Sequence, residues 1–157
     1  MTDEAGALRI VPFTQEDQVS VRALILGGLA ERWGGETDPT LNGDLDDIAE
    51  SYAAGTTLLA RLDNVLVGAG TVVPRGRHVE EVVRMSVAPT ARGRGIGIRL
   101  LDRLVDAASA RGAHRIVCET CAHWESAIRL YLAFGFTITH YHEGDFGREA
   151  HFGLDLR

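Results

Sequence analysis

Cysteine is scarce in this chain, two in 157 residues, and proline appears only four times. Two cysteines cannot supply a disulfide framework, so the fold must rest on a packed core. A chain of this length can bury one. No apolar run approaches the roughly 20 residues that a membrane-spanning helix needs. The opening MTDEAGALRI lacks the charged-then-apolar pattern of a signal peptide, so cytoplasm is the expected location. Basic residues are outnumbered 16 to 22, for a formal net charge of −6. That deficit argues against nucleic acid as a partner, which calls for a broad basic surface. Repeats, linkers and low-complexity tracts are missing too, and residues 1–157 read as one domain.

The two cysteines, Cys118 and Cys121, stand in "HRIVCETC", which reads as a strand. Three residues apart on a strand they point to opposite faces. Small core residues with reduced thiols are therefore expected, not a redox motif or a metal site.

Hydrophobic spacing gives the remaining order. "ALRIVPFT" is a first strand. Thr14 and Asp17 resemble a capping box ahead of Val21, Leu24, Ile25, Leu29 and Trp33 at helical spacing. After "GGETDPTLNGD" a short second helix is expected, with Leu41, Leu45, Ile48 and Tyr52 on one face. "TTLLARL" and "VLVGAGTVV" form a hairpin about Asp63-Asn64, and "PRGR" turns the chain into a fourth strand, "HVEEVVRMSV". A long helix bearing Leu100, Leu101, Leu104, Val105 and Ala108 stops at Gly112. The strand "HRIVCETC", the helix "WESAIRLYLAF" ending at Gly135, and a closing hairpin of "FTITHYH" and "EAHFGLDL" complete the chain. The order predicts an α/β domain whose β-α-β crossover sets two strands parallel in an otherwise antiparallel sheet.

Against the acidic background stands "SVAPTARGRGIGIRLL", residues 86–101. Arg92, Gly93, Arg94, Gly95, Ile96, Gly97 and Ile98 join a strand to a helix. There free N–H groups and the helix dipole favour an anion, and glycines let the backbone curl around it. The P-loop pattern fails because Ile98 and Arg99 follow Gly97. The dinucleotide fingerprint fails because Ile98 or Leu100 stands where its third glycine belongs. What remains is Arg92-x-x-Gly95-x-Gly97.

The block "RMSVAPTARGRGIGIRLL" resembles the acyl-CoA-binding core of the GNAT superfamily of N-acetyltransferases, and "ETCAHWESAIRLYLAFGF" resembles that family's second signature. The resemblance covers essentially the whole chain. It implies a single-domain GNAT-like fold: a mixed central sheet of about seven strands, helices on both faces, and a splay between strands 4 and 5. It implies acetyl-CoA as co-substrate, with its pyrophosphate on the backbone amides of Arg92 to Ile98 and its pantetheine arm beside Met85, Ser86 and Val87. No metal is expected, and a homodimer would match similar proteins.

Acetyl transfer to an amine needs a base for the amine, polarisation of the thioester oxygen and an acid for the departing thiolate. The resemblance implies Glu81 as base, directly or through water, with Glu80 pointing to the opposite face. It implies the Val87 N–H at the oxyanion and Tyr131 as acid. Trp124 departs from the pattern, standing where the family often has asparagine. His140, His142 and His151 share the closing hairpin as strand residues, a polar rim of the acceptor pocket, or metal ligands. Glu31, Glu36, Asp38, Asp44, Asp46 and Asp47 make the first two helices acidic, which would favour a cationic acceptor. The reaction expected is transfer from acetyl-CoA to a primary amine of a small molecule or amino acid by direct attack in a ternary complex. The alternatives are acetylation of a protein N-terminus or lysine, and a catalytically silent acyl-CoA-binding module.

Overall fold

The segment Thr56–Leu62 (β2), TTLLARL, is apolar on both faces, and the computed structural model, which describes residues 7–35 and 37–156, shows why. Leu58 and Ala60 enter one hydrophobic cluster and Leu59 a second. Successive strand residues point to opposite faces, so the two clusters lie on opposite sides of one sheet. With Leu8–Pro12 (β1), Val65–Gly76 (β3), Val79–Val87 (β4), Arg115–Cys121 (β5), Thr137–Gly144 (β6) and Gly147–Asp155 (β7), the strands order as β1-β2-β3-β4-β5-β7-β6. The β4–β5 pair is parallel and the other five pairings are antiparallel.

Helices Ile96–Ala110 (α3) and Glu125–Phe134 (α4) contribute Leu100, Leu101, Leu104 and Tyr131 to the first cluster. Gln18–Trp33 (α1) and the single turn Ile48–Ser51 (α2) give Val21, Ile25 and Ile48 to the second. The helix stops match their chemistry. Gly34, Gly112 and Gly135 all have positive φ, at or just past the ends of α1, α3 and α4. Cys118 is buried, Cys121 is half-buried, and both are free thiols.

Two expectations change. The second helix is not continuous: Pro39–Leu41 and Gly43–Asp46 are 3₁₀ turns, and only Ile48–Ser51 is α-helical. Leu45 and Ile48 are buried as expected, whereas Leu41 is exposed. The chain also does not turn at Pro74. β3 runs on through Pro74 to Gly76 and reverses at Arg77-His78, with His78 at positive φ. The register slips at Arg75, directly after the proline, and an irregularity of this kind is where a sheet tolerates a missing N–H.

Two features of β4 create the site. Its pairing with β5 covers only Val79, Glu80 and Glu81 against Arg115, Ile116 and Val117, after which the strands separate. Its ladder with β3 also carries one extra residue between Val83 and Ser86, where Arg84 takes φ 57°. This bulge exchanges the faces. Before it, Glu80 and Val82 point toward α3; after it, Met85 and Val87 join the same cluster while Ser86 donates to the Leu24 carbonyl of α1.

Candidate active site in the cleft between β4 and β5

The gap opens into a cavity of about 400 Å³ lined by β4 from Val82 to Val87, the loop and first turn of α3, Glu119 and Thr120 of β5, the face of α4 bearing Tyr131, and α1 through Arg32. At one end lies the Arg-Gly turn. Gly93 and Gly95 both adopt left-handed backbone, at φ 80° and 76°. The helical bond from the Arg99 N–H to the Gly95 carbonyl, at 3.2 Å, leaves the amides of Ile96, Gly97 and Ile98 without intrahelical partners. A Cβ on Gly97 would stand 3.3 Å from Leu130, so this glycine also lets α3 approach α4. The Arg92 side chain turns away to α1, pairing with both Glu31 carboxylate oxygens at 2.7 Å and donating to the Val87 carbonyl at 3.2 Å. The donors this turn offers to an anion are thus backbone amides, with Arg94 exposed at the rim.

Met85, Ser86 and Val87 line the wall between β4 and this turn. The Ala88 N–H bonds the Val67 carbonyl on the β3 side. By strand alternation the Val87 N–H therefore faces the cleft.

Tyr131 sits at the other end with its ring in the core, 5.3 Å from Phe152 and 5.6 Å from Phe136, while the residue lines the cavity. Burial pushes its phenol well above the ordinary value. Cys118 and Glu81 add to that rise and Arg32 opposes it. The hydroxyl therefore keeps its proton at neutral pH.

Glu81 does not itself line the cavity, though its charge acts on Glu119 and Tyr131. Its carboxylate pairs with Arg75 Nε at 2.5 Å. Glu80 does face the other way: it is buried and held by Arg111 Nε at 2.9 Å and Nη2 at 2.6 Å. Among the described residues the carboxylate lining the cleft is Glu119, which no sequence motif singles out. Glu119 Oε1 lies 3.1 Å from His151 Nε2, which is 3.2 Å from Glu149 Oε1. Burial and the neighbouring Glu149 charge raise the Glu119 carboxyl above the usual range, and His151 partly offsets them. In register, Glu119 faces His151 and His151 faces His140, whose ring stacks on that of His151 at 4.4 Å. With His142 edge-on at 6.1 Å, the three histidines floor this side of the sheet. Only the strand order, with β7 inserted between β5 and β6, brings Glu119 to them, and nothing local in the sequence signals that.

The acidic residues near α1 and α2 are mostly committed. Glu31 holds Arg92, and Asp44 accepts from Arg84 Nε at 2.9 Å and Nη2 at 2.7 Å and from the Tyr52 hydroxyl. Asp47 caps the Glu50 N–H, Asp38 accepts from Thr40, and Asp46 lies 3.6 Å from Arg22; Glu36 lies outside the described residues. Trp124 takes up Arg32, whose guanidinium stands 5.1 Å from the indole centroid. Among the described residues, two buried side-chain atoms have no hydrogen-bond partner: Arg32 Nε and Thr120 Oγ1. Both residues line this cleft. Orphaned buried donors are rare in a finished fold, and here they mark a place that a ligand completes.

The model of the acetyltransferase (GNAT) family matches residues 21–136. The IAA acetyltransferase of Azospirillum brasilense is 41% identical over 80 residues, covering 50% of this chain and 52% of that protein. The L-2,4-diaminobutyric acid acetyltransferase of Nocardia farcinica is 32% identical over 114 residues, covering 64% of this chain and 57% of that one. The chain thus spans little more than half the length of these curated relatives. A Salmonella typhimurium acetyltransferase structure with its cofactor acetyl-CoA superposes with a TM-score of 0.78, at 22% identity, over 97% of this chain and 95% of that one.

Proposed function

The chain belongs to the acetyltransferase (GNAT) family, and from that premise we propose that it moves an acetyl group from acetyl-CoA to a primary amine of a small molecule or amino acid. The observation that carries this reading is one continuous cleft with an anion-binding backbone turn at one end and a carboxylate and a protonated tyrosine at the other. The relatives named for acetylating IAA and L-2,4-diaminobutyric acid support a small-molecule acceptor.

When bound, acetyl-CoA supplies an activated thioester. The amides of Ile96, Gly97 and Ile98 and the left-handed Gly93 and Gly95 would hold its pyrophosphate, with Arg92 bracing the loop to α1 and Arg94 adding charge. The edge of β4 at Met85, Ser86 and Val87, left unpaired by the splay, offers hydrogen bonds to the amide-rich arm. The Val87 N–H points where an oxyanion would form. Tyr131 gives its proton to the departing sulfur. Glu119 takes the amine's proton, because it is the carboxylate in the cleft and its raised affinity for protons suits a base. Glu81 remains the alternative base, acting through water if its pair with Arg75 opens.

The test is a free-thiol release assay against a pooled panel of amines, amino acids and peptides. Release stimulated by small amines supports the reading. Release stimulated only by peptides makes the acceptor a protein, and acetyl-CoA binding without release under any acceptor makes the chain a silent binding module.

A further inference from the structure

Among the described residues, Arg32 is the cleft cation with a buried nitrogen, Nε, that has no hydrogen-bond partner. A guanidinium only donates hydrogen bonds, so the partner missing from its buried Nε is an acceptor. Its planar fork best grips a carboxylate or phosphate, two bonds at a time. Trp124 packs its ring against the guanidinium, and Arg32 stands in the last turn of α1, which ends at Trp33. The phosphates of the cofactor belong at the start of α3, by the function proposed above. Arg32 instead stands near enough to Tyr131 for its charge to ease the proton off the phenol. At that end of the cofactor there is a thioester and an amide arm, and no negative charge. Glu31 feels the Arg32 charge, but both its oxygens are already held by Arg92, so a hydrogen-bonded counter-charge for Arg32 is left for the acceptor to bring. Across the same cavity Glu119, with Glu149 behind it, offers the opposite sign.

We propose that the acceptor is an amino acid and that Arg32 reads its carboxylate while the amine lies toward Glu119. Arg32 is then a specificity residue, and Trp124 is its support in place of the usual asparagine. This rests on the acetyl-transfer reading of the cleft.

The experiment compares kcat/KM for matched acceptors: an amino acid, its carboxamide, and the amine lacking the carboxylate. The wild type should favour the acid over the carboxamide by roughly ten- to a hundredfold, the usual worth of a charge-assisted contact. Arg32→Gln should pull that ratio toward one, chiefly by raising KM for the acid, and Arg32→Lys should keep part of it. The Lys variant also serves if the Gln variant folds poorly. Equal use of acid and carboxamide by the wild type overturns the proposal and leaves the acetyltransferase reading standing. So does an Arg32→Gln variant that slows both alike through kcat, which would assign Arg32 to the thiolate. No acetylation of any member, with acetyl-CoA bound, defeats the reading of function and this inference with it.

Discussion

Burial makes both Glu119 and Tyr131 hold their protons more tightly, and a pH–rate profile separates their roles. A base must be ionised, and Glu119 is held above the usual carboxylate range. Activity should therefore fall as pH drops through that raised value. Glu119→Gln should lack this acid limb and run roughly 10²–10⁴-fold slower at neutral pH, with the deficit shrinking at high pH where the amine is already neutral. Running Glu81→Gln beside it assigns the base: whichever variant loses the acid limb carried the proton. Tyr131→Phe should lower kcat with CoA affinity kept, and raising the pH should not rescue it, because the missing part is an acid. Tyr131 was legible from the sequence because it sits in a contiguous helical signature. Glu119 was not, because its partners His151, Glu149 and His140 come from two later strands, aligned only by sheet order.

At the scale of elements, the strand–turn–helix unit from β4 to α3 was the most readable part of the chain, since glycines at positive φ leave a mark that spacing alone reveals. Gly95→Glu tests it. Nothing lies within 4 Å of a Cβ there, so the fold should survive at a cost of roughly 1–2 kcal/mol for left-handed backbone. CoA binding measured by calorimetry should vanish, because a carboxylate would enter the anion site. The region after α1 was least readable. Leu41, Leu45, Ile48 and Tyr52 keep a helical rhythm, but Pro39, Asn42 and Gly43 break the backbone beneath it into separate turns. Side-chain bonding then fixes those turns: Asp44 ties them to Arg84 at the β4 bulge. Burial pushes the Asp44 carboxyl up, and the bonds from Arg84 and Tyr52 outweigh it, so the net shift is downward. A lowered value gives stability that is complete above the unfolded value of about 3.9 and is lost as pH falls through the folded one. Asp44→Asn should cost roughly 1–3 kcal/mol in denaturant melts at pH 7, a gap that should begin to close only below about pH 4 and vanish once the pH is below the lowered folded value.

For the whole molecule, two hydrophobic clusters share one sheet, and β2 contributes to both. We propose residues 1–157 as one N-acetyltransferase domain, and a single melting transition is its signature. Acetyl-CoA at a hundredfold its Kd should stabilise by about 2.7 kcal/mol, a rise in Tm of roughly 5–10 °C for a domain of this size. NAD and ATP should do far less, and equal shifts from all three would remove acetyl-CoA from the assignment. All 16 basic residues are arginines. With no lysine in the chain, side-chain self-acetylation on nitrogen cannot add background to the amine assay. The bulge at Arg84 has a consequence for how such a chain can vary over generations. Substitutions along β4 change one side chain at a time. Deleting the codon for Arg84 would instead remove the bulge and leave every later position on its present face, with Met85 and Val87 still toward α3 and Ser86 still toward α1, at the cost of the Arg84 tie to Asp44. Lineages that shorten this strand should thus lose a residue at the bulge, where the faces survive, and lose the Arg84–Asp44 pair with it.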